Sequence, residues 1–366
     1  MVNKLSIRFL YGVSHQVFNV DSNDSKMHYD PITSLKYVYA SSNNVKHNLR
    51  KEFVDIWNDT QENSIEPLKK VFYSTESEKK QAEVEIKMDI ENPILALFGA
   101  WNSCQTDVKY SQSAAKSCFN ISQFSPIHIF LSKKAKTVGI HSGDCNSVNG
   151  IKTKDNKNQS HYYTTPEELA ETTNYTAETA KEKFEQLRAL NFFEEKTTAN
   201  GLYHYDIHID LDVFGKINLT TFTLTEEDKA KYLANGWEEQ TIRGEKYLSK
   251  SKEYNQKLFE LFIKALFSWD FTSNNSLHGS EKELLRVSCA LNDTLRWQQA
   301  TMAKVVDEEE RKAELVLNDE VSNVYSFNTN LLSKYYMTEN NGIKTDINAD
   351  ILAQEKLIEL GKSKIK

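Results

Sequence analysis

The sequence predicts an α+β fold, and three observations carry that prediction. Two segments alternate apolar and polar residues with the two-residue period of a half-buried strand: Lys4–Val13 (KLSIRFLYGV) and Gly201–Phe214 (GLYHYDIHIDLDVF). Other segments repeat apolar residues at helical spacing, the first being Ser41–Trp57 with Val45, Leu49, Phe53 and Ile56. Strands and helices then follow one another without the regular alternation that builds a parallel sheet.

Taken in order, Leu5, Ile7, Phe9 and Tyr11 give the first strand its apolar face. A polar loop holding Asp21, Asp24 and Asp30 follows, before Pro31. Ser and Asn at 41–44 supply a cap for the first helix, because their side chains accept from otherwise unpaired N–H groups. Ala82–Met88 reads as an edge strand or hairpin, Pro93–Trp101 as a short buried helix ending near Gly99, and Ile127–Leu131 as a strand. Residues 141–161 are rich in Asn, Ser, Gly and Lys and read as a surface loop. Thr165-Pro166-Glu167-Glu168 starts a helix, and helical periodicity resumes through Phe184, Leu187 and Leu190. Tyr203, Tyr205, Ile207, Ile209 and Leu211 share one face of the clearest strand. Glu245–Trp269 and Ser280–Val305 are expected as long helices, and the tail beyond Asp346 as an amphipathic one.

Composition narrows the function. With 39% hydrophobic and 27% charged residues the chain is expected to fold around a core. No apolar run reaches the ~18 residues of a membrane span, and Met1–Leu10 has no signal-peptide pattern, so a cytoplasmic protein with no membrane partner is expected. The four cysteines, at 104, 118, 145 and 289, form no CxxC pair and have no His at zinc-ligand spacing. His204 and His208 share a strand face but lack a third ligand. No metal and no cofactor are expected.

The net charge of −7 hides an asymmetry. Residues 1–160 carry 20 Lys and Arg against 17 Asp and Glu, and residues 101–160 carry 8 against 3. A basic patch can therefore sit on an acidic protein. Its first part is the exposed face of the first helix, with Lys46, His47, Arg50 and Lys51 within about one and a half turns. Lys46 and Arg50, four apart, share that face, which suits consecutive phosphates. Asn43, Asn44 and Asn48 add hydrogen-bonding groups.

Three segments in order carry a family resemblance. Residues 40–50 read ASSNNVKHNLR, residues 111–122 read SQSAAKSCFNIS, and residues 201–214 read GLYHYDIHIDLDVF. Together they resemble the Cas-seven family of backbone subunits in CRISPR surveillance complexes of the Cascade type. His47 stands where a second basic residue is usual. The family's Gly-rich loop near its C-terminal strands has no clear counterpart here, with only Gly279 near its place.

The resemblance implies an RRM-like (ferredoxin-like) core sheet with large helical and loop insertions, built as a single domain over residues 1–366. It implies a non-catalytic protein that holds the guide RNA (crRNA) backbone, oligomerises with copies of itself beside other Cascade-type subunits, and presents the guide for pairing with a target DNA strand. The RNA-binding residues it implies are Asn44, Lys46, His47, Arg50, Lys51 and Lys116. Lys133, Lys134 and Lys136 join them in the basic segment 133–161, a candidate thumb or finger that also holds Lys152, Lys154 and Lys157. Residues 164–195 are expected as a helical insertion.

Two other readings stay open at this level. Residues 164–207 resemble a winged-helix DNA-binding regulator, with two helices and a hairpin closing at Asn200-Gly201. The charges of its second helix, Lys181, Lys183 and Arg188 against Glu178, Glu182 and Glu185, cancel. Alternatively, a relative that cuts target RNA would use the acidic 21–30 loop.

Overall fold

Alternation along Lys4–Gln16 makes β1, the strand around which the other elements are arranged. The computed structural model describes residues 3–18, 20–21, 24–61, 65, 70–73, 83–86, 90–105, 110–140, 151–154, 160–163, 165–191, 193–271, 281–292, 296–334 and 343–365. After β1 come helix α1 (Ser42–Thr60), β2 (Phe119–Ile121), β3 (Ser132–Ile140) and the long β4 (Phe193–Asp210). Helix α2 (Lys252–Ser268), β5 (Glu281–Leu291), β6 (Tyr325–Asn328) and helix α3 (Ala349–Lys362) complete the frame. The fold is α+β, as the sequence predicts.

The main sheet runs in the order β2-β4-β1-β5-β6, and each neighbouring pair is antiparallel. Register follows the apolar pattern: Leu5 lies opposite Ile209, Ile7 opposite Ile207, Phe9 opposite Tyr205 and Tyr11 opposite Tyr203. Phe9 and Tyr205 stack at 4.9 Å between ring centroids. A one-residue slip would turn all these side chains out of the core, so the pattern pins the pairing.

One face of this sheet carries the helices. The Ser41 side chain accepts from the Asn44 N–H and starts α1. Val45, Leu49, Phe53 and Trp57 then fall on its buried stripe. Leu258, Phe259, Phe262 and Leu266 of α2 and Leu357 of α3 join the same core.

The opposite face, which alternation alone would leave to water, is also covered. A short helix, Arg296–Gln299, and a hairpin of Thr301–Asp307 with Lys312–Leu317 lie over it as a cap. Ser6, Arg8, Arg286 and Ser288 are buried there, and their polar groups are paired rather than stranded. The Arg286 guanidinium donates to Asp319 Oδ1 at 2.6 Å, to Thr301 Oγ1 at 2.8 Å and to the Ala300 carbonyl at 2.9 Å.

Several expectations are corrected. Ser280–Val305 is not a helix; it is β5, the Arg296–Gln299 turn of helix and the first cap strand. Its Glu, Lys, Leu and Arg favour helix, but pairing with β1 outweighs local propensity. The helix expected over Glu245–Trp269 begins only at Lys252; Glu245–Ser249 pairs as a strand with Glu238–Ile242. Ile129–Leu131 is a 3₁₀ turn capped by His128, not a strand. Of the expected loop over 141–161, Ile151–Lys154 and Ser160–Tyr163 form a hairpin, while 141–150 and 155–159 lie outside the described residues. Asn200-Gly201 is not a hairpin turn. It lies inside β4, where Asn200 pairs with Lys133, and Gly201 with Ser132 and Val13. The winged-helix reading thereby loses its wing.

Residues 164–195 contain helices at Pro166–Thr172 and Ala177–Asn191, with their own small core of Tyr163, Leu169, Ala180 and Phe184. Within Ala82–Met88, Glu83–Ile86 is a strand paired with Lys70–Tyr73, and helix Pro93–Phe98 ends at Gly99 as expected, with strand Ala100–Gln105 following it. The polar loop before Ser41 contains a hairpin of Met27–Tyr29 with Lys36–Val38.

Candidate nucleic-acid interface

α1 leaves the sheet at Ala40, whose backbone exchanges two 2.9 Å hydrogen bonds with Phe124. That anchor fixes the helix N-terminus beside β2, which is an edge strand of the main sheet among the described residues. The apolar stripe faces inward, so the basic residues of the first two turns face outward or along the β2 edge.

Lys46 is half-buried, and its ammonium lies 5.0 Å from the Phe119 ring centroid. Loss of water lowers its pKa; the Arg50 cation lowers it further, against an opposing pull from Cys118. His47 is exposed, with its Nδ1 3.3 Å from Arg50 Nη2. Partial desolvation, then Arg50 and Lys51, hold its pKa below the usual histidine value, so the ring is neutral at pH 7 and accepts from Arg50. Lys51 is exposed one position beyond. Asn44 is committed within the helix: its backbone and side-chain oxygens both accept from Asn48 Nδ2 at 3.1 Å.

Lys116 is exposed just before β2, three residues ahead of Phe119 in the chain. It lines a cavity of about 340 Å³ together with Lys4, Phe119, Asp210, Lys216 and Glu245. The acids there are already engaged. Arg243 donates to both oxygens of Asp210, at 2.7 and 2.8 Å. Glu245 accepts from Asn218 Nδ2 at 2.7 Å and from the Tyr247 hydroxyl at 3.0 Å. Those two bonds lower its pKa, and Lys116 adds to the effect. Lys116 itself makes no ion pair among the described residues. Cys118 is buried, its thiol pushed up to about 12 by burial, so it is inert as a nucleophile.

The fold therefore brings Lys46, His47, Arg50 and Lys51 to one helix face and seats Lys46 over the Phe119 ring, while Lys116 lines the neighbouring cavity with Phe119. It does not bring Lys133 and Lys134 to that face. Lys133 and Lys134 are exposed on β3, opposite Asn200 and Ala199. Lys136 follows on that strand opposite Thr197, with its side chain outside the described residues. Lys157, Gly279 and the Ser273–Ser280 loop also lie outside them, as do the side chains of Asp21, Asp24, Lys152 and Lys154. Asp30 caps a turn: its Oδ1 accepts from the N–H groups of Ile32 at 2.9 Å and Thr33 at 2.8 Å. These bonds, Thr33 first, hold its carboxyl below the usual range.

Sequence reading missed Lys4 and Lys216. Nothing in local pattern places Lys216 beside Lys116, a hundred positions away; the pairing of the chain around β4 does. No group of three or more His, Cys, Asp or Glu side chains able to hold a metal occurs among the described residues. Among them, too, no helix is long and apolar enough to cross a membrane.

No family model and no curated protein matches the chain. Solved structures do. A chain of a "CRISPR RNA-guided surveillance complex, pre-nicking" is 9% identical with a TM-score of 0.37, over 78% of this chain and 75% of that one. A chain of a "CRISPR RNA-guided surveillance complex" is 10% identical with a TM-score of 0.37, over 81% of this chain and 73% of that one.

Proposed function

We propose that this chain is a non-catalytic backbone subunit of a CRISPR surveillance complex. It holds the guide RNA backbone, lines up with copies of itself and with other Cascade-type subunits, and presents the guide for pairing with a DNA target. The observation that carries the reading is the juxtaposition at Phe119. Lys46 of α1 lies over the Phe119 ring of β2, Lys116 stands exposed three residues before that ring in the chain, and Arg50 and Lys51 continue the cationic strip along α1. Such a strip neutralises successive phosphates without reading bases. An RRM-like core is supported by chain order. With β3 set aside as an extension paired to the first half of β4, strand, helix, two strands, helix and strand (β1, α1, β2, β4, α2, β5) make a sheet ordered β2-β4-β1-β5, antiparallel throughout.

The test is co-expression of the tagged chain with a CRISPR array and neighbouring genes, followed by sequencing of the RNA that co-purifies. Uniform short RNAs with repeat-derived ends, in a large assembly, are expected. Heterogeneous cellular RNA or none, with a small oligomer, rejects the reading.

A further inference from the structure

The hairpin between β1 and α1 carries a second kind of surface. Its strands, Met27–Tyr29 and Lys36–Val38, pair His28 with Tyr37 and Tyr29 with Lys36. Cross-strand partners share a face, and successive residues alternate between faces. One face therefore holds His28, Tyr37 and Tyr39, whose rings touch one another with centroids 5.5 to 6.3 Å apart. The other holds Tyr29, 56% exposed, with the Lys36 ammonium 5.0 Å from its ring centroid.

The ribbon is preorganised. The Asp30 carboxylate caps the turn, Asp30 N–H donates to the Leu35 carbonyl at 2.9 Å, and Ser34 N–H donates to the Asp30 carbonyl at 2.9 Å. At its root the Tyr203 hydroxyl donates to the Val38 carbonyl at 3.1 Å, and Gln123 Nε2 donates to the Tyr37 hydroxyl at 3.3 Å. Val38 is three residues from the Ser41 cap of α1, and Gln123 two from the end of β2. Rings and cations thus border the same strip of chain.

We propose that this hairpin stacks unpaired bases of single-stranded RNA on both of its faces, with His28 receiving a base on one face and Tyr29 on the other. The inference rests on the reading of α1 as the phosphate-holding element. Exposed rings interleaved with lysines, and an aspartate already spent on backbone N–H groups, fit a polyanion with π faces. Stacking accepts every base, and a cation beside the ring strengthens it.

The test measures binding of a labelled short oligouridine to the full chain by fluorescence anisotropy across several salt concentrations. It compares wild type with H28A/Y29A, with the ring-retaining H28F/Y29F, and with K46A/R50A/K51A. H28A/Y29A is expected to bind about tenfold more weakly with an unchanged salt slope; H28F/Y29F is expected to bind like wild type. On an abasic oligonucleotide, wild type and H28A/Y29A are expected to bind equally. Equal affinity of wild type and H28A/Y29A for oligouridine overturns the proposal, as does an equal loss on the abasic strand. So does a finding that H28A/Y29A changes only self-association. A wild-type chain that binds no RNA overturns the reading of α1 as well, whereas a chain that binds RNA and loses nothing in H28A/Y29A overturns the hairpin alone.

Discussion

Arg8 and Asp206 face each other across β1 and β4 as a two-pronged pair, Nε to Oδ1 at 2.7 Å and Nη2 to Oδ2 at 2.8 Å. The remaining Arg8 nitrogen donates to the Thr301 carbonyl at 2.7 Å, and the guanidinium carbon lies 5.2 Å from the Trp297 ring centroid. The pair therefore joins the sheet to its cap. Removing one member leaves the other charged and without its partner, which costs about 3–5 kcal/mol at buried sites. Asp206→Ala is expected to lower the free energy of urea unfolding by an amount in that range, and the midpoint with it. An unchanged midpoint would show that the cap does not depend on the pair.

His204 stands two residues from Asp206 on the same face, and burial, aided by Arg8, pulls its pKa down to about 4. Its Nδ1 has no hydrogen-bond partner among the described residues. Between pH 6.5 and about 4 the unfolded chain binds a proton at this position that the folded chain refuses. Stability is thus full above pH 6.5 and falls as pH drops toward 4. At about 1.4 kcal/mol per unit, His204 accounts for at most about 3 kcal/mol of that loss. His204→Gln is expected to flatten the fall in melting temperature between pH 7 and pH 4.5.

Binding through the cationic face of α1 should depend on salt. Replacing Lys46, Arg50 and Lys51 together with Ala is expected to weaken binding to unrelated single-stranded RNAs alike. The slope of log affinity against log salt should fall by about 2, at roughly 0.7 for each phosphate no longer neutralised. Filter binding at four salt concentrations reads both. Weakening restricted to one sequence would mean that the face reads bases.

Gly201 sits in β4 at φ +123°, and a Cβ built there would lie 2.2 Å from the Leu131 carbonyl oxygen. The strained backbone alone costs about 1–3 kcal/mol for another residue. Gly201→Ala is expected to destabilise the protein by at least that much in chemical denaturation, with β3 pushed off β4. A stability equal to wild type would show that β3 shifts without cost.

Where side-chain periodicity and burial agree, the elements are legible from sequence. β1, the Gly201–Asp210 half of β4 and α1 each bury one apolar set, so their pattern survives without knowledge of any partner. Glu281–Leu291 is not legible. Its local preference for helix is overridden only because β1 lies beside it and offers unpaired backbone groups. The aromatic hairpin reads as a polar loop, since Asp21 to Asp30 dominate that stretch and Lys36-Tyr37-Val38-Tyr39 is too short a run to stand out.

The candidate interface divides the same way. The sequence by itself determined that Lys46, His47, Arg50 and Lys51 share a helix face, because a 3.6-residue repeat fixes neighbours three and four apart. It also determined which residues of β1 and β4 enter the core. Only the tertiary structure decided that Lys46 lies over the Phe119 ring, that Lys116 and Lys216 line one cavity, that Lys133 and Lys134 sit on a different strand, and that the polar face of β1 is buried. Those contacts join segments from tens to hundreds of residues apart. No local pattern encodes such pairs; they exist because antiparallel pairing and burial place distant strands side by side.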